Sequence, residues 1–98
     1  MPKYILLSSL TPEGRKTLKE RPHRIREVDK EIEAMGVKVL NQFATLGSFD
    51  FVNIVEAPDN DTISKLSIEL TSRGTIQITT LPAIDIDSFI KHLKIKND

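Results

Sequence analysis

Apolar positions along the chain fall into short runs whose period changes. Tyr4-Ile5-Leu6-Leu7, continuing to Leu10, is a compact run with β-favouring members, and Thr11-Pro12 stops it. That pattern predicts a strand ending at a helix start. Thr11 suits a cap, Pro12 the first helical position, and Glu13 the positive end of the helix. The helix runs to about Glu20. Pro22 must then kink or restart it, because proline lacks the N–H and clashes with the preceding turn. Beyond it Ile25, Val28, Ile32 and Met35 recur at helical spacing among charged residues, and Gly36 is a C-terminal stop.

Two further strands are predicted, Val37–Leu46 and Phe49–Glu56. A two-residue Gly47-Ser48 loop suits a type II′ turn, with glycine where φ must be positive. The register sets Leu46 against Phe49, Ala44 against Phe51, Gln42 against Asn53 and Leu40 against Val55 on one face. Thr45 with Asp50, Phe43 with Val52, Asn41 with Ile54 and Val39 with Glu56 fall on the other. Both faces are mainly apolar, so each needs a cover. Pro58 ends the strand, and Asp59 or Asp61 caps a helix with Ile63, Leu66 and Leu70 as its buried stripe, closed by Arg73-Gly74. Thr75–Leu81 is a fourth strand, and Asp85–Leu93 a short terminal helix with Ile86, Phe89, Ile90 and Leu93 on its apolar side. Lys94–Asp98 is a frayed end.

The order is β-α-β-β-α-β, an α+β chain of the ferredoxin-like split βαβ type. Right-handed crossovers put both helices on one face of a four-stranded antiparallel sheet ordered 4-1-3-2. The other face has no cover within the chain, which predicts a homodimer or higher homo-oligomer with sheets back to back. The alternative is a monomer whose terminal helix folds over that face.

Composition narrows the classes. The 98 residues are expected to form one domain. Fourteen Lys/Arg balance fourteen Asp/Glu, which does not favour nucleic acid or an anionic membrane as partner. There is no cysteine, so disulfides, thiol catalysis and thiolate metal sites are excluded. No apolar run is long enough to span a bilayer, and the first residues do not read as a signal peptide. A cytoplasmic protein is expected.

The stretch Leu46-Gly47-Ser48-Phe49-Asp50-Phe51-Val52 resembles the signature of the GYD-domain family, with Gly47 and Asp50 matching and Phe49 in place of the usual Tyr. Leu10-Thr11 with Gly14, Pro22 with Arg24, Ala34-Met35-Gly36, Glu56-Ala57-Pro58-Asp59, and Arg73-Gly74 with Thr79-Thr80-Leu81 are similar too. The resemblance implies a dimeric α+β barrel type of fold. Relatives of that fold include cofactor-free monooxygenases and small isomerases, but fold alone does not assign a reaction. Phe49 removes the signature hydroxyl as a proton donor.

The topology gathers Ser8, Ser9, Thr11, Arg15, Asp50 and Arg73 at one end of the sheet. Ser8, Thr11, Arg15, Asp50 and Arg73 are the candidate ligand-binding residues, and Asp50 is the candidate base or anchor of a cofactor-independent oxygenase or isomerase. The competing structural reading pairs Asp50 with Arg73, or has it cap local backbone. Asn53 and Gln42, on the other sheet face, are expected to bond each other across strands or across a dimer seam. His23 and His92 lie in different helices and make no metal set, and no cofactor motif is present. The basic run Arg15, Lys16, Lys19, Arg21, Arg24, Arg26 is interleaved with acids and lacks aromatic stacking partners, so it reads as a solvated face. The leading functional reading is a homo-oligomer of unassigned activity that binds a small organic molecule between sheet and helices. A regulatory or scaffolding oligomer is the third reading.

Overall fold

The computed structural model describes residues 1–95. The frayed end expected at Lys94–Asp98 lies, from residue 96 on, outside the described residues. The elements are β1 (Lys3–Leu10), α1 (Pro12–Glu20), α2 (Arg24–Ala34), β2 (Lys38–Ala44), β3 (Phe51–Glu56), α3 (Asn60–Thr71), β4 (Ile76–Ala83) and α4 (Ile86–Ile95). The sheet runs β2-β3-β1-β4, all pairs antiparallel, which is the expected order.

The caps form where the side chains call for them. Thr11 Oγ1 accepts from the Gly14 N–H at 3.1 Å and donates to the Gly74 carbonyl at 2.9 Å, tying the start of α1 to the end of α3. Asp59, rather than Asp61, caps α3, accepting the Thr62 N–H at 2.8 Å. Pro22 separates α1 from α2, as its missing N–H requires. Pro82 does not end β4, which continues to Ala83. β4 is an edge strand, and an edge tolerates the missing donor.

The central hairpin departs from its expected register. Ala44 to Asn41 pair with Phe51 to Ile54 as predicted, but Val39 then faces Val55 and Lys38 faces Glu56. Leu40 is the extra residue of a β-bulge on an edge strand, so the predicted pairs Leu40–Val55 and Val39–Glu56 do not form. The loop differs too. The Thr45 N–H donates to the Asp50 carbonyl at 2.8 Å and the Thr45 hydroxyl to the Phe49 carbonyl at 2.7 Å, so the loop spans 46–49 and Leu46 does not pair with Phe49. A side-chain bond has replaced the last rung of the two-residue turn. Gly47 still takes a positive φ of 105°.

The helix-side face of the sheet holds Tyr4, Leu6 and Ser8 of β1, Phe51, Asn53 and Val55 of β3, and Ile76 and Ile78 of β4. Tyr4, Leu6 and Val55 join Ile32, Val37, Ala57, Ile63, Leu66 and Leu70 in one core. Burying such side chains contributes about 1.5–3 kcal/mol each. The opposite face carries Ile5, Leu7, Phe43, Val52, Ile54 and Leu81. Phe43 is 53% exposed and Leu81 42%. The terminal helix does not close this face. Ile86, Phe89 and Ile90 of α4 are themselves exposed, and the chain measures 57 × 29 × 19 Å. Its radius of gyration is 15.5 Å, where a compact chain of this length has about 13 Å.

Candidate functional site

Two polar constellations lie near each other, and only one lines a cavity. The first is at the hairpin end of β1. Asp50 sits just before β3, and its N–H donates to the Ser8 carbonyl at 2.7 Å. Its carboxylate Oδ2 accepts the Leu10 N–H at 2.7 Å, with Arg15 Nη2 at 4.0 Å. A charge-assisted bond of this kind pins the hairpin to the strand that leads into α1. The Ser9 hydroxyl adds a bond to the Ser48 carbonyl at 3.0 Å.

Asp50 does not pair with Arg73. Arg73 bonds Glu31 at 2.6 Å and Glu69 at 3.4 Å, and Arg24 reaches Glu31 at 3.6 Å. An acid on α2 stands closer to the end of α3 than the hairpin does. The Arg73 guanidinium holds the Glu31 carboxyl below its usual range, and Glu31 in turn raises Arg73.

The second constellation lines a cavity of about 220 Å³ between the sheet and the helices α1 and α2. Leu10, Leu18, Ile25, Val28, Phe51 and Ile76 form much of its wall. Its polar members include Ser8, Asp29, Gln42, Asn53 and Arg73. Of the candidate residues, Ser8 and Arg73 line this cavity, whereas Thr11, Arg15 and Asp50 lie outside its lining. The candidates therefore divide between a structural cluster at the hairpin and the cavity wall.

Gln42 and Asn53 are paired across strands but do not bond each other, and they face the helices rather than a seam between copies. The Gln42 Nε2 donates to Asp29 Oδ1 at 2.6 Å, and Arg26 donates to Asp29 Oδ2 at 3.1 Å and to Gln42 Oε1 at 3.3 Å. Asp29 is buried, and this cation and amide compensate its charge. Asn53 Oδ1 is enclosed and has no hydrogen-bond partner among the described residues.

Sequence reasoning passed over Asp29. Its signal is positional, since it stands four residues after Ile25 and three before Ile32, on the apolar stripe. Among the described residues no group of three or more His, Asp or Glu side chains could hold a metal ion, and no helix is long and apolar enough to cross a membrane.

The GYD domain family model covers residues 4–93, so the chain belongs to the GYD-domain family. The chain is 46% identical over 95 residues, 96% of this chain and 100% of the relative, to a protein of Thermus thermophilus named "Glutamine synthetase and cystathionine beta-lyase binding protein". No solved structure matches the chain.

Proposed function

We propose that this GYD-domain protein is a homo-oligomeric protein-binding module that docks on metabolic enzymes. Self-association is supported by its exposed apolar surface, formed by the helix-free sheet face and the projecting α4, and enzyme docking by the relative's name and by exposed Leu46 outside that surface. The occupant of the sheet face is a second copy. Four strands about 4.8 Å apart and about six residues long present roughly 400 Å². A stable interface buries about 800 Å² per partner, so the sheet alone is too small. The exposed stripe of α4 extends from the same end of the chain as β4, and laid against the partner it supplies additional area. An isologous pair closes both surfaces at once.

The relative's name makes glutamine synthetase and cystathionine beta-lyase the enzymes to test first. Fully exposed Leu46, at the start of the hairpin loop, lies outside the sheet face and is free to meet such a partner. Biolayer interferometry with each purified enzyme tests this reading. We expect saturable binding to at least one enzyme, and weaker binding of Leu46→Asp. No binding to either, by a chain of confirmed fold, contradicts the enzyme-docking role.

The cavity favours a second reading, in which a small organic molecule binds between sheet and helices. An apolar wall with a few convergent polar groups is the usual form of a ligand site. On this reading the molecule is an effector of the docking function. An oxygenase or isomerase with Asp50 as base draws less support, because that carboxylate is engaged by the Leu10 N–H outside the cavity lining.

A further inference from the structure

We propose that Glu31, which lies outside the cavity lining, sets the charge selectivity of the cavity by occupying both arginines of its wall, so that the site rejects carboxylates. The inference rests on the reading that the cavity binds a small molecule. It names the residue that decides which class of molecule is taken.

Two arginines in the wall of an apolar cavity would by themselves select an anion. Arg24 stands at the start of α2 and Arg73 just beyond the end of α3, and both belong to the lining. Around them Ile25, Val28, Ile76, Ile78 and the Phe51 ring make the wall apolar. A carboxylate reaching two guanidinium groups there would find the planar, bidentate partner that arginine is suited to supply.

Glu31 takes that place first. It lies two turns along α2 from Arg24. Arg73 Nη1 donates to Glu31 Oε2 at 2.6 Å, and Arg24 Nη2 lies 3.6 Å from Glu31 Oε1, so one carboxylate gives an oxygen to each cation. Glu27 meets Arg24 at 3.1 Å and Glu69 meets Arg73 at 3.4 Å. None of these three acids lines the cavity, so both guanidinium charges are held by partners outside the wall. Asp29, the acid of the lining, is held in the same way by Arg26 at 3.1 Å. A charged ligand would lose its hydration and meet only charges already compensated, which is unfavourable. An uncharged one leaves every pair intact.

Glu31 rather than Glu27 or Glu69 decides, because it is the acid shared by both arginines. Without it Arg73 keeps only the longer contact to Glu69, and Arg24 keeps only Glu27. Two long side chains of the wall are then available to a carboxylate. The triad is part-exposed, so solvent screening keeps the gain moderate.

Benzyl alcohol, benzylammonium and benzoate share one ring and differ in charge. A dry apolar cavity of about 150 Å³ holds benzene, and the present one, at about 220 Å³, has room for each of them. Calorimetry and amide chemical shifts should be recorded at neutral pH on the full chain and on Glu31→Gln. We expect the native chain to bind benzyl alcohol at least about tenfold tighter than either ion. The shifted amides should include Ser8, Val28 and Ile76. In Glu31→Gln benzoate should gain at least about threefold, while benzyl alcohol keeps its affinity and benzylammonium gains nothing. A merely structural role for Glu31 would weaken all three probes together or leave their ratios unchanged, and either result overturns the assignment. Benzoate binding the native chain as tightly as benzyl alcohol also overturns it, while leaving the cavity reading in place. Binding of no probe to the native chain, or shifts confined to other parts of it, overturns both. If Glu31→Gln does not fold, the contrast among the three probes on the native chain still decides whether carboxylates are rejected.

Discussion

Gly14 holds α1 against the start of β4 more tightly than any other side chain would allow. A Cβ built on it would sit well inside van der Waals contact of the Thr75 carbonyl oxygen, which also accepts the Thr11 N–H at 3.0 Å. Gly14→Ala should therefore cost about 1–3 kcal/mol by overpacking, read as a lower denaturant midpoint. Gly47 is constrained differently. Nothing lies within 4 Å of its Cβ position, but its φ of 105° resists a β-branched residue. Gly47→Val should lose about 1–3 kcal/mol through backbone strain, and an unchanged midpoint would show that the loop relaxes freely. Asp50→Asn weakens the bond to the Leu10 N–H and should cost about 1 kcal/mol in a chemical melt. The need for glycine at position 47 was legible from Gly-Ser between two apolar runs. The need at position 14 was not, because it arises from a strand distant in sequence.

Elements were readable in order and type, while their ends depended on tertiary partners. The caps at Thr11 and Asp59 and the break at Pro22 are local chemistry, and the structure has them where the residues indicate. The bulge at Leu40 and the continuation of β4 through Pro82 depend on both lying on edge strands, a fact of sheet order. Misplacing Arg73 had the same origin. Its partner Glu31 comes from a helix forty-two positions away, and no local pattern announces that pair. The pair also sets an acid response. The folded Glu31 carboxyl is held below its ordinary value near 4.5, chiefly by the hydrogen bond from Arg73. Its contribution is therefore fully present above that value and is lost as pH falls through the depressed folded one. Glu31 is 39% exposed and Arg73 30%, so solvent screening limits the effect to about 1 kcal/mol or less. Thermal melts should show Glu31→Gln less stable than the native chain above about pH 5, with the difference shrinking as pH falls below the ordinary carboxyl range. A constant difference across that range would mean that the loss comes from packing rather than charge.

At the scale of the whole molecule, the ferredoxin-like arrangement followed from the order of the elements, and the uncovered sheet face from the apolar positions on both sides of the central hairpin. The cavity did not, because it depends on how far α1 and α2 stand off the sheet and on which polar side chains find partners. Asn53 and Gln42 were visible as a cross-strand pair, yet the diversion of Gln42 to Asp29 needed the packed helix. The proposed self-association uses the open sheet face and the exposed side of α4. The molar mass by light scattering at micromolar concentration, for the native chain and for Ile54→Glu on the helix-free face, tests that most directly. The account predicts at least twice the chain mass of 11.1 kDa for the native protein and a shift toward the single-chain mass for Ile54→Glu. A native mass of 11.1 kDa at that concentration would contradict it.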